Sequence, residues 1–337
     1  FESLALTGEA GTRQVDLTRV PGGESSSTAK LDIRRACATV NNKESDFGVE
    51  VRALANANVF LIRSEKKLDL KPPKISFLPT AETGQTDGIS WLHQKLPGDE
   101  SGDWKGMEYA LAIASRGSLH AVAVINSFEA KDVKAQAMQL AIETLQKEET
   151  DLVAKHEAIW TDFWAASGVC LSDDFMNRTW YRNLYFFRCV SKPGVACPGL
   201  FAGMFGSSAA WHGGHTMNYN AEQTYWTPFA TNHCELAEPY VRMITEYRTR
   251  ARWLCRKLFD CDGEYYPHNI FVHEPLYPEK CKSKLGRQFF WMSWSYSHCV
   301  SGFAVQNLWF AYKYAPDRSF LESTAYPAVR EVAIFYA

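Results

Sequence analysis

The order of apolar and polar positions changes character once along this chain. Up to about residue 128, apolar residues alternate in short runs. The runs are Val15–Val20, Phe47–Arg52, Val59–Arg63, Tyr109–Ala114 and Leu119–Phe128, with Gly, Pro, Asn and Ser breaking the sequence between them. A period of two puts successive side chains on opposite faces, so these runs read as strands. Ser115-Arg116-Gly117-Ser118 lies between the last two and predicts a hairpin. Lys71-Pro72-Pro73 and the stretch Gly98–Asp103 are loops. Many short strands with frequent breaks predict a β-sandwich over residues 1–128.

From Glu129 to Trp164 the period becomes helical, and no Gly or Pro interrupts it. Ala137, Leu140, Ala141, Thr144 and Leu145 fall on one face, which predicts one long helix, a linker over residues 129–168. It closes in an aromatic cluster of Trp160, Phe163 and Trp164. Residues 169–337 predict further helices at Asp174–Val190, Glu222–Thr231, Leu236–Phe259, Ser297–Tyr314 and from Ser319 to Ala337. Asp173 or Asp174 is the cap of the first, and Pro316-Asp317 separates the last two.

Composition narrows the function classes. The 337 residues are 46% hydrophobic, ample for two domains with cores of their own. Thirty-six basic residues against 38 acidic ones leave a net charge of −2. That balance gives no electrostatic footprint for nucleic acid or an anionic membrane. No apolar run approaches the roughly 18 residues of a membrane span. Nine Cys, an odd number without a C-x-x-C pair, read as free thiols. The chain starts at Phe1 without an initiator Met, and its last helical pattern still runs at Ala337. Both ends are those expected of part of a longer protein.

Candidate chemistry concentrates in Trp211–Trp226, which packs two Trp, two His, two Asn and a Glu into one short segment. If Met217–Asn220 is extended, Asn218 and Asn220 share a side and their amides converge. An Asn carbonyl accepts a hydrogen bond and can hold and polarise a water, but a carboxylate must take the proton. A polar loop whose Asn residues satisfy the backbone is the plain alternative on pattern alone.

The segment resembles the signature of glycoside hydrolase family 95 (α-L-fucosidase-like), roughly W-x-x-D-Y-H-x-N-x-N-x-Q-x-N-Y-W. Trp211, Asn218, Asn220 and Tyr225-Trp226 stand at its offsets. The flanks are similar too. Upstream stand Trp180–Tyr185, Ser191-Lys192-Pro193-Gly194 and Pro198–Gly203; downstream, Asn232, Glu235, Glu238-Pro239, Gln306, Trp309, Phe320-Leu321 and Tyr326-Pro327. What the resemblance implies is an N-terminal β-sandwich, a helical linker and the first part of an (α/α)6 barrel. It implies an inverting glycosidase in which Asn218 and Asn220 position the attacking water. The family's general acid and its Asp follow the Tyr-Pro helix, so the resemblance puts both beyond Ala337, and the chain alone is expected to be inactive.

The segment departs from the signature at several positions. Its His falls on Thr216, with His215 one place early; its Asp-Tyr becomes Gly214-His215; its Gln becomes Glu222. A changed sugar contact alters discrimination between sugars. The residues read as substrate-binding are Trp211, His215, Thr216, Glu222, Tyr225, Trp226 and Trp294, with Tyr265, Tyr266, His268 and Asn269 on the loop Asp260–Phe290 as further contacts. His268, His273, Glu274, Cys261 and Cys281 match no zinc spacing, so neither metal nor organic cofactor is expected. The expected partner is a terminal sugar of a glycan or polysaccharide, in a secreted or periplasmic setting. Two other classes remain: a carbohydrate-binding protein whose barrel has lost its acid, and a phosphorylase, for which Trp211–Trp226 offers no Arg or Lys.

Overall fold

The computed structural model describes residues 4–6, 27–42, 47–72, 78–98, 105–200, 213–271 and 296–337. They fall into two compact units, one drawn from Phe1–Gly98 and Lys105–Ala165, the other from Ala166–Ala337.

Eight strands of the first unit make one antiparallel sheet. They are β2 (Ser27–Asp32), β3 (Cys37–Asn42), β4 (Phe47–Ala53), β5 (Val59–Ser64), β7 (Glu82–Thr86), β8 (Ile89–Leu96), β9 (Met107–Arg116) and β10 (Leu119–Asn126), in the order β2-β3-β4-β5-β10-β9-β8-β7. The predicted hairpin is present, with Arg116 opposite Leu119 and Gly117 at φ +60° in the turn. The β7–β8 turn is Asp87-Gly88, with φ +50° and +79°, so both central residues have the left-handed backbone that fits strand twist.

Both faces of this sheet are covered. On one, Ala110, Ala112, Ala114, Ala121 and Ala123 meet Ala137 and Ala141 of helix α1 (Val133–Gln146), all buried in one cluster. Seven small side chains let the helix axis approach the strands closely, and Leu54, Val59, Leu61 and Leu145 fill the margins. On the other face Val49, Ile62, Ile113 and Val122 pack on Leu68 of β6 (Leu68–Leu70), which pairs with β1 (Leu4–Leu6). Among the described residues the expected sandwich is therefore a broad sheet with a helix on one side and a narrow ribbon on the other. Burial of both faces also explains why β10 reads as apolar at nearly every position.

The single linker helix of the sequence reading is two helices. Lys147 turns extended (φ −83°, ψ 154°) after α1, and α2 runs Glu149–Ala165. No Gly or Pro makes this break; tertiary contacts do. Ala137, Ala141 and Leu145 bind α1 to the sheet, while Glu149 ion-pairs with Arg63 of β5 at the start of α2. Farther along α2, the buried His156 ring takes the Ala55 N–H on Nδ1 at 3.2 Å and donates from Nε2 to the Arg35 carbonyl at 2.9 Å. Trp160, Phe163 and Trp164 cluster as expected, and Trp164 donates to the Ile33 carbonyl at 3.2 Å. The helices thus belong to the first unit instead of standing apart as a linker.

In the second unit α3 spans Asp174–Val190, as predicted, with the Asp173 carboxylate accepting the Met176 N–H at 2.9 Å. The predicted helix at Glu222–Thr231 is two short ones, α4 (Asn220–Thr224) and α5 (Thr227–Ala230), parted before Pro228. A 3₁₀ turn, Cys234–Ala237, leads into α6 (Glu238–Phe259), whose buried stripe includes Tyr240, Ile244, Tyr247, Ala251 and Leu254. Helix α7 is Val300–Tyr314. The last predicted helix starts as the turn Arg318–Phe320, widens to a π-helical turn at Leu321–Ala325 and ends as α8 (Tyr326–Tyr336). Pro327, which has no N–H to give, stands in the first turn of α8, where none is needed. Among the described residues no helix is long and apolar enough to cross a membrane.

Candidate active site

The segment between α3 and α6 is built on a short antiparallel bridge, β11 (His215–Thr216) against β12 (Asn269–Ile270). Backbone bonds extend it on both sides: Met217 N–H donates to the His268 carbonyl at 2.6 Å, and Leu200 N–H to that of Gly214 at 3.0 Å. Gly199 is required here, because a Cβ would stand 2.2 Å from the Gly213 carbonyl oxygen.

His215 is the clamp of this bridge. Its ring is 1% exposed, with Nε2 3.1 Å from the Cys197 carbonyl and Nδ1 3.3 Å from that of Ile270. Burial lowers its pKa, so the imidazole is neutral and donates to one carbonyl at a time. A side chain committed to two backbone segments has no surface for a sugar, which corrects its reading as a substrate contact.

After the bridge, Met217–Tyr219 form a turn, and Asn220 opens α4. The extended geometry expected for Met217–Asn220 is absent, so period-two alternation does not bring the two amides together. Asn218 and Asn220 are both exposed, one on the turn and the other at the start of α4. Asn220, Thr216, His215, Gly199 and Tyr225 border a cavity of about 20 Å³, the size of a single water. The turn is seated from below by Met217, which is fully buried, and from the side by Tyr219 and Trp226, whose rings meet edge to face at 6.0 Å.

Glu222 and Tyr225 point inward. Tyr225 packs edge-on to Phe187 at 5.4 Å, and its hydroxyl lies 3.1 Å from Ser191 Oγ and 3.4 Å from Cys197 Sγ. Burial pushes its phenol up and the Cys197 thiol up to about 12. Ser191 donates onward to the Leu236 carbonyl at 2.9 Å, tying the end of α3 to the start of α6. Glu222 is 0% exposed. Its Oε1 is 3.5 Å from the Tyr240 hydroxyl, its backbone carbonyl accepts from Asn307 at 3.1 Å, and its Oε2 has no partner among the described residues. Desolvation pushes its carboxyl up to about 8. Both residues were read as substrate contacts; neither has surface to offer, because the short α4 presents that side to α6 and α7.

Thr216 and Trp226 are half-buried and stay available. Trp211 and Trp294 lie outside the described residues. On the loop after α6, Tyr265 and Tyr266 are fully buried and are corrected from substrate contacts to packing. Tyr265 sits between Phe259 and Phe335, and the Tyr266 hydroxyl donates to Glu264 at 3.1 Å. His268 and Asn269 are half-buried and serve the bridge through their backbones. Ser191, Tyr240 and Asn307 were missed, though Asn307 is signalled by its place on the apolar face of α7. No group of three His, Cys, Asp or Glu among the described residues is arranged to hold a metal ion. A larger cavity of about 620 Å³, bordered by Glu238, Arg242, Arg248 and Asp317, contains none of these signature residues.

Residues 172–337 match the model of the glycosyl hydrolase family 95 catalytic domain. Over these residues the chain is similar to the catalytic domain of glycosyl hydrolase family 95. The match contains α3, the bridge, both Asn residues and every helix that follows them. No curated protein matches the chain. Among solved structures it is similar to a bacterial glucoamylase complexed with acarbose, at 10% identity and a TM-score of 0.41, over 99% of this chain and 60% of the glucoamylase chain. This chain thus spans 60% of the length of that glucoamylase.

Proposed function

We propose that this chain is part of a family 95 glycosidase that hydrolyses a terminal α-L-fucosyl or α-L-galactosyl bond with inversion, on an (α/α)6 barrel that begins with α3. The observation that carries the reading is the exposed Asn218–Asn220 turn, held by buried clamps within the residues that match the family's catalytic domain. In this scheme the two amides hold the attacking water by accepting its hydrogen bonds, and neither takes its proton. An inverting reaction needs two carboxyl groups on opposite faces of the sugar, with room between them for that water. Glu222 supplies neither, since it is buried and neutral. Both carboxyl groups follow α8 in this reading, as the family resemblance implies, and Thr216 and Trp226 contribute to the sugar site beside the Asn pair. The substrate is carbohydrate outside the cytoplasm.

The test uses the full-length enzyme on a panel of aryl fucosides, galactosides and rhamnosides. Asn218→Ala and Asn220→Ala should each lower kcat on the order of 10²-fold with little change in KM, because the lost contact belongs to the transition state. Residues 1–337 alone should show no turnover. Wild-type kcat in both variants refutes the water-holding role, and full turnover by residues 1–337 refutes the placement of the acid.

A further inference from the structure

The Sγ atoms of Cys255 and Cys261 are 3.4 Å apart, across the C-terminus of α6. The chain reverses between them because Asp260 takes the left-handed conformation, φ +53°, and donates its N–H to the Arg256 carbonyl at 3.1 Å. The Cys255 thiol is also 3.3 Å from the Asp262 carbonyl oxygen, so its direction is fixed from two sides. The segment that follows is held along its length. Gly263 abuts the backbone of α8, Glu264 N–H donates to the Glu331 carbonyl, and Tyr265 N–H donates to that of Ala251. The two sulfurs are therefore close because both flanking backbones are fixed.

We propose that Cys255 and Cys261 are a site of reversible intramolecular disulfide formation that fastens the end of α6 to the segment leading into β12. Access sets the order of events: Cys261 is partly exposed, while Cys255 is 0% exposed. With a small-molecule disulfide as oxidant, the Cys261 thiolate attacks one of its sulfurs and expels one thiolate, leaving a mixed disulfide on Cys261. The Cys255 thiolate then attacks Cys261 Sγ, forming the protein disulfide and expelling the second small thiolate. The two protons from the protein thiols end on the two released thiols, so two protein thiols are oxidised as one small disulfide is reduced. Burial holds the Cys255 thiol up at about 12, which makes the second step the slow one.

Trypsin cuts after Arg256 and Lys257, so the two cysteines leave in different peptides unless they are joined. The native chain is incubated with a glutathione-type disulfide, quenched with an alkylating agent, digested and analysed by mass spectrometry without reduction. The expected product is one linked peptide pair lighter by two hydrogens, lost on treatment with dithiothreitol. A cross-link closing a seven-residue loop should also raise the melting temperature by about 5 °C in the wild type and leave Cys261→Ser unchanged. Recovery of Cys255 and Cys261 both alkylated, or of Cys261 only as the mixed disulfide, while the exposed Cys170 and Cys299 have reacted, overturns the proposal.

Discussion

Glu222→Gln separates a buried structural acid from a catalytic one. The buried carboxyl meets the Tyr240 hydroxyl and its own helix backbone, and among the described residues no cation offsets its desolvation. Its pKa rises from the ordinary 4.5 to about 8. In the unfolded chain it loses its proton near 4.5, whereas the folded chain holds it until about 8. Folding therefore takes up a proton between those values, and stability from this group falls as pH rises through that window. At about 1.4 kcal/mol per pH unit, the wild type carries a cost of about 3 kcal/mol at pH 7 and about 5 kcal/mol at pH 9. Gln keeps the shape and a carbonyl for Tyr240, and has no proton to lose. The variant should match the wild type at pH 4 and exceed it progressively above pH 5. Urea unfolding at a series of pH values measures the difference directly. A difference that does not change between pH 5 and pH 9, or a variant less stable at pH 8, refutes the account of a neutral, uncompensated carboxyl.

Two further perturbations test other parts of the fold. In the first unit His156 is buried and neutral, with its pKa lowered by desolvation, so its contribution is present above the unfolded value of about 6.5 and is lost as pH falls below it. The wild type should therefore lose more melting temperature between pH 7.5 and pH 5 than His156→Gln, although the variant starts lower; parallel losses would mean that the ring does not titrate as described. Gly263 stands at φ +108° with a Cβ position 2.6 Å from Glu331 O and Phe335 N, so Gly263→Ala should cost about 3 kcal/mol in urea unfolding. Gly194, at φ +88° with nothing within 4 Å, should lose only about 1 kcal/mol as Ala, and equal losses would exclude the backbone clash as the cause.

What was legible in the sequence was mostly local. Asp173 caps α3 and Gly117 turns the β9–β10 hairpin because each signal acts within a few residues. The β7–β8 hairpin was equally local, and its Asp87-Gly88 turn is a strong signal; its polar edge strand, Glu82–Thr86, hid it. The break at Lys147 could not be read this way, because it depends on Glu149 reaching Arg63 and on α1 lying against five sheet alanines. Glu222 shows the same limit from the other side. Asn220, Gln223 and Thr224 beside it are exposed polar residues, and its burial comes from α6 and α7, later in the chain.

The signature segment is best understood as two sets of residues with different physical tasks. Asn218 and Asn220 are exposed and can exchange partners, while His215, Met217, Glu222 and Tyr225 between and around them are buried. An amide that is to hold a water in one place needs a backbone that does not move, and exposed turns move unless something fixes both ends. Here one end is fixed by the β11–β12 bridge and the His215 clamp, the other by Tyr225 on Ser191 and Cys197. Polar side chains do this work because each joins backbone segments distant in sequence, which apolar contact alone would leave free to slide. A neutral Glu222 fits the same scheme. Charged, it would need a cation or water that the packing of α4 on α6 excludes; protonated, it fills the space and leaves the turn in place. A motif dense in His, Glu and Tyr thus draws the eye to acid–base chemistry, whereas the geometry buries His215, Glu222 and Tyr225 and leaves Asn218, Tyr219 and Asn220 exposed.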